Sequence, residues 1–68
     1  MDLAESIIKY ENGEMTLGEE IEFFAFLVST GKAWTLQGHY GRMAMEMINL
    51  EFISEDGRVL KLPTEEVE

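Results

Sequence analysis

Cysteine is absent from this chain, which excludes the disulfide staples and thiolate zinc sites that support many domains of similar length. Proline occurs once, at Pro63, so no proline interrupts the segments before it. Basic residues are scarce: five Lys and Arg stand against fourteen Asp and Glu, for a formal net charge of −9. Nucleic-acid affinity grows with the number of phosphates that Lys and Arg neutralise, so direct binding of DNA or RNA is disfavoured. Anionic membrane surfaces are disfavoured for the same reason. No apolar run approaches the roughly 18 residues of a membrane span. The start, Met1-Asp2-Leu3-Ala4-Glu5, has neither the basic opening nor the apolar stretch of a secretory signal, and a cytoplasmic location is the expectation.

What the chain does contain is enough apolar material for one core. Hydrophobic residues make up 46% of 68 residues, with four Phe, two Tyr, one Trp and five Met. A single helical domain over 1–62 is expected, followed by an acidic, frayed tail over 63–68. Short chains bury a small fraction of their surface, so stability has to come from close packing or from self-association.

Asp2 with Glu5 three positions on reads as a helix start. Leu3, Ile7 and Tyr10 follow at helical spacing, and Asn12-Gly13 supplies the stop. Thr16-Leu17-Gly18-Glu19 is a capping-box pattern that opens a second helix. Phe23-Phe24-Ala25-Phe26-Leu27-Val28 then leaves no polar face for nearly two turns, and such a helix is central or covered by a partner. Phe23, Phe26 and Leu27 are accordingly expected to join two subunits. The glycines of Gln37-Gly38-His39-Tyr40-Gly41 are read as a break. A third helix is expected from about Tyr40, with Tyr40, Met43, Ala44, Met47 and Ile48 forming its apolar stripe. Glu55-Asp56-Gly57 between two apolar runs reads as the turn of a short C-terminal β-hairpin. The expected architecture is mostly α: a small three-helix domain with a helix-turn-helix-like second half and that hairpin.

Residue chemistry argues against catalysis. The only histidine, His39, would need an activated serine, and neither Ser6, Ser29 nor Ser54 lies in a nucleophile-elbow motif. Glu19 with Glu22, and Glu55 with Asp56, match no calcium loop; a solvated helix start and a polar turn account for them. Gly38-His39-Tyr40-Gly41 has the outline of a nucleic-acid clamp without flanking basic residues. No metal, no cofactor and no enzymatic activity are expected. Trp34, Gln37, His39, Tyr40 and Arg42 form a cluster of types enriched in protein interfaces. The structural alternative is that Trp34 and Tyr40 close the core with their polar atoms at the surface.

Three stretches carry a resemblance: Lys9 through Glu14, Glu19 through Gly31, and Ala33-Trp34-Thr35-Leu36-Gln37-Gly38-His39-Tyr40-Gly41-Arg42. Together with a Met-rich helix ending near Phe52-Ile53, they resemble a family of short, uncharacterised bacteriophage proteins with a Trp-x-Leu-Gln-Gly-x-Tyr-Gly-Arg core. The resemblance runs from Ile8 to Ile53 and implies phage origin without implying a mechanism.

The function expected is that of a small acidic phage accessory protein, a homodimer that binds a host or phage protein through the Trp34–Arg42 cluster. Two rivals stand beside it. One is a DNA mimic, with carboxylates such as Glu19, Glu20, Glu22, Glu46 and Glu51 in place of phosphates. The other is a helix-turn-helix regulator reading DNA through His39, Arg42, Met45 and Asn49, which the charge balance opposes.

Overall fold

A computed structural model describes residues 2–62. It is mostly helical: α1 (Leu3–Glu11), α2 (Leu17–Ser29), a 3-10 turn (Lys32–Trp34) and α3 (Gly38–Asn49). The acidic tail expected from residue 63 lies outside the described residues. Among those described, no helix is long and apolar enough to cross a membrane.

The capping signals act as their chemistry requires. The Asp2 carboxylate accepts from the backbone N–H groups of Ala4 and Glu5. At α2, Glu19 N–H donates to Thr16 Oγ1 at 3.1 Å while Thr16 N–H donates to the Glu19 carboxylate at 2.9 Å. Two donors that the helix cannot satisfy internally are thereby satisfied reciprocally. Lys9 Nζ lies 3.2 Å from the same Glu19 carboxylate and ties α1 to the start of α2.

α2 is the centre of the domain. Ile21, Phe23, Phe24 and Leu27 have no exposure, and Ala25 and Val28 are buried beside them. Around the buried cluster that α2 dominates pack Leu3, Ile7 and Tyr10 from α1, Leu36 from the connection, Met43 and Ile48 from α3, and Phe52 beyond it. The expectation that Phe23 and Leu27 join two subunits is therefore corrected, because the chain itself already covers both side chains. Phe26 is half-buried. The apolar surplus of α2 is real, but its consumer is the same chain.

Aromatic rings lock the centre. Tyr10 stands edge-on to Phe24, with centroids 5.3 Å apart and planes at 82°. It also lies 5.5 Å from Phe23 and 5.7 Å from Tyr40. Each such pair adds about 0.5–1.5 kcal/mol beyond area burial, which compensates for α1 having no fully buried residue.

α3 starts at Gly38, earlier than expected, and holds both glycines inside the helix. The break falls between the 3-10 turn and Gln37. A Cβ at Gly41 would stand 3.4 Å from the Ala33 carbonyl oxygen and 3.6 Å from Trp34 Cε3. The glycine therefore serves close packing against the 3-10 turn, and this outweighs its poor helix propensity. The stripe of α3 falls as periodicity requires, with Tyr40, Ala44 and Met47 buried and Met43 and Ile48 half-buried.

Two helices end in the same left-handed turn. After α1, Glu14 N–H donates to Lys9 O and Gly13 N–H to Tyr10 O; after α3, Phe52 N–H donates to Met47 O and Glu51 N–H to Ile48 O, all at 3.0 Å. These are Schellman motifs. The left-handed position is Gly13 after α1 (φ 72°) and Glu51 after α3 (φ 67°).

The expected C-terminal hairpin does not form as paired strands. Ile53 and Val59 make one isolated antiparallel bridge, and no strand is present among the described residues. Only Phe52 and Ile53 lie between the turn ending α3 and the turn at 54–57, too few residues to start a ladder. Gly57 (φ 89°) is pressed against α2, where a Cβ would come within 2.5 Å of Ser29 N and 2.7 Å of Ala25 O. Ile53, with no exposure, joins the core.

Candidate functional site

The half of α3 turned away from the core carries Arg42, Met45, Glu46 and Asn49, all exposed. With Trp34 they line an open groove of about 940 Å³ that Gly38, His39, Met43 and Tyr10 also border. Gly41 sets the wall: its missing side chain lets the Trp34 ring lie against the helix, while half of Trp34 stays exposed. Arg42 folds back along α3, its Nη1 3.4 Å from where a Cβ of Gly38 would stand.

Trp34, His39 and Arg42 of the expected contact cluster converge on this groove. Gln37 is exposed but does not line it. Tyr40 belongs to the core, being 3% exposed, and its hydroxyl donates to the Glu11 carboxylate. Its ring therefore closes the domain instead of offering a contact surface. His39 stacks on Tyr40 with centroids 4.1 Å apart, and its Nε2 lies 3.7 Å from the same Glu11 oxygen. Burial, then the hydrogen bond to Glu11, pushes the Tyr40 hydroxyl well above the usual phenol range. Burial and the neighbouring Glu20 and Glu11 charges push Tyr10 up as well.

Ser29, Ser54, Glu19 and Asp56 have local partners. The Ser29 hydroxyl donates to Phe26 O at 3.0 Å, and the Ser54 hydroxyl donates to Asp56 while accepting from Arg58 N–H. Hydrogen bonds from Thr16 N–H and Lys9 hold the Glu19 carboxyl below the usual range. The Ser54 hydrogen bond and Arg58 do the same for Asp56. Glu22 makes no hydrogen bond or ion pair with another described side chain, so the Glu19–Glu22 pair does not act as one unit. No three Asp, Glu or His side chains converge among the described residues.

The contact cluster omitted Met45, Glu46 and Asn49. Their signal was the polar side of the α3 periodicity, which marks the face left over once the apolar stripe is assigned to the core. Chemically the groove offers an indole face, two thioethers, an imidazole, a carboxamide, one guanidinium and one carboxylate. No curated protein and no solved structure matches the chain. The family model described as Domain of unknown function (DUF7417) matches residues 1–68, and the chain belongs to that family.

Proposed function

We propose that this protein is a non-enzymatic binding module, a small acidic accessory protein of bacteriophage origin that works by protein–protein contact through the α3 groove. The observation that carries the reading is Trp34, a residue type enriched at binding hot spots, half exposed on the wall of an open groove with Arg42 beside it. A helix-turn-helix regulator fits this face poorly, because Arg42 shares it with Glu46 and phosphate binding needs several cations.

A second reading, the nucleic-acid mimic, draws on a different observation: Glu5, Glu14, Glu22, Glu51 and Glu55 are all exposed and none is in an ion pair with another described residue. Such a surface attracts basic proteins over long range. The two readings separate by salt. Binding through the groove weakens little with ionic strength, whereas a phosphate mimic releases its target as salt rises.

The test is affinity capture from an infected host with the wild-type chain, Trp34→Ala and, as a control away from the groove, Glu5→Gln. The reading expects one stoichiometric protein that Trp34→Ala loses and Glu5→Gln keeps, with the interaction reproduced by the purified pair. Identical recovery by all three chains overturns it.

A further inference from the structure

We propose that Asn12-Gly13 is a site of spontaneous covalent modification, deamidation, which the folded chain holds closed and which opening of the end of α1 exposes. Neither residue lines the α3 groove, so the inference stands apart from what binds there. Asparagine is a chemically labile residue, and a following glycine has no side chain to shield its nitrogen. The Gly13 backbone nitrogen gives up its proton and attacks Asn12 Cγ. The N–Cγ bond forms, the Cγ–Nδ2 bond breaks, and the side-chain amide leaves as ammonia with that proton. Water then opens the cyclic imide: its hydroxyl bonds to one carbonyl carbon and its hydrogen returns to the nitrogen. The product is aspartate or, with one more carbon in the main chain, isoaspartate.

The reactants are adjacent and exposed, and the Asn12 side chain makes no hydrogen bond with another described residue. Their arrangement is what prevents reaction. Asn12 has ψ −1°, which eclipses the Gly13 nitrogen with the Asn12 nitrogen, whereas ring closure needs it turned to the Cβ side. The Schellman turn fixes that angle, because Gly13 N–H donates to Tyr10 O and Glu14 N–H to Lys9 O, both at 3.0 Å. The proton that the attacking nitrogen must lose is already committed. Two side-chain contacts fasten the turn: the Tyr40 hydroxyl donates to Glu11, and Lys9 Nζ lies 3.2 Å from Glu19. α1 has no fully buried residue, so its end opens at lower cost than the core. Once formed, isoaspartate lengthens the main chain inside the hydrogen-bonded loop from Lys9 to Glu14. Its carboxylate also stands at a helix C-terminus, where negative charge is disfavoured. The turn therefore does not close again as before. Asp56-Gly57 has the same outline, but Ser54 and Arg58 hold its carboxylate ionised, and a carboxylate resists attack. Asn49 precedes Leu50, whose side chain crowds the nitrogen.

The full chain, incubated folded at mildly alkaline pH, is digested and read by mass spectrometry for aspartate and isoaspartate at residue 12. Phe24→Ala in the same buffer and the parent in urea are the unfolded references, and circular dichroism sorts folded from unfolded samples. The unfolded chains are expected to lose Asn12 at least about tenfold faster than the folded parent. Tyr40→Phe, still folded, is expected to lose it at least about threefold faster than the parent. Lys9→Gln, which releases the other contact, takes its place if Tyr40→Phe is unfolded. The purified isoaspartate form is expected to melt below both the parent and Asn12→Asp, which carries the new charge without the extra carbon. Equal rates of loss from folded and unfolded chains overturn the proposal, as does an unfolded chain that keeps Asn12. So does a folded chain lacking the α1 contact that matches the parent, or an isoaspartate form that melts with Asn12→Asp.

Discussion

Tyr40 donates its hydroxyl to Glu11, 29 residues earlier in the chain, and so joins the end of α1 to the first turn of α3 over the aromatic centre. Its ring is buried among Tyr10, Phe23 and Phe24, while its oxygen reaches the one carboxylate that also stands beside His39. Tyr40→Phe keeps the ring and removes the donor. It is expected to lower stability by about 1.5–3 kcal/mol, in the range of a hydrogen bond to a charged acceptor. Urea denaturation with unchanged slope measures the loss.

The same bond gives the protein an alkaline limit. Tyr40 and Tyr10 both have folded-state values raised above the ordinary 10.0. Below that value both folded and unfolded chains hold the protons, and the stabilising contribution is complete. Above it the unfolded chain ionises first, so stability falls as pH rises from about 10. Tyr40→Phe is expected to flatten that decline, read by denaturant melts at several alkaline pH values.

At the acidic end the sign reverses. The Glu19 carboxyl is held below its usual range by Thr16 N–H and Lys9. Its contribution is present above the unfolded value and is lost as pH falls through the folded one. Burial raises Glu20 instead, and protonation there relieves a cost. Glu19→Gln is expected to reduce the loss of stability between neutral and acidic pH, and Glu20→Gln to increase it, both followed by thermal melts.

Core and groove residues separate by truncation. Phe24→Ala removes a fully buried ring, a loss of about 3–5 kcal/mol. A domain of this size rarely holds more than about 3–5 kcal/mol in total, so the variant is expected to be unfolded at any concentration. Trp34→Ala removes a half-exposed ring and is expected to remain folded by circular dichroism.

Gly57→Ala is expected to cost more than Gly13→Ala, although both glycines have positive φ. At Gly13 nothing lies within 4 Å of an added Cβ, and only the backbone penalty of about 1 kcal/mol applies. At Gly57 the methyl group collides with the end of α2. Parallel thermal denaturation of the two variants checks the order.

Local signals in the sequence located α1 and α2 well. Asp2, Thr16 with Glu19, and Asn12-Gly13 act within a few residues of themselves, and each cap forms where its chemistry places it. The α3 stripe was legible because periodicity is also local. What covers Phe23 and Leu27 was not legible, since that depends on how segments distant in the chain meet in the core. Gly41 misled for the same reason: helix propensity argues for a break, and the close approach of Ala33 and Trp34 overrides it. The hairpin failed on length, because Asp56-Gly57 announces a turn without saying how few residues precede it. Tyr40 was read into the contact cluster because it has interface chemistry and core geometry at once.

Glu51 occupies a backbone conformation that costs an ordinary residue about 1 kcal/mol or more, at the helix end where a negative charge is also disfavoured. α1 puts glycine in the equivalent place. The chain thus carries an unused reserve at a single exposed position, and Glu51→Gly would release it without touching the core or the groove. Such a background would let damaging substitutions elsewhere be studied in a folded protein.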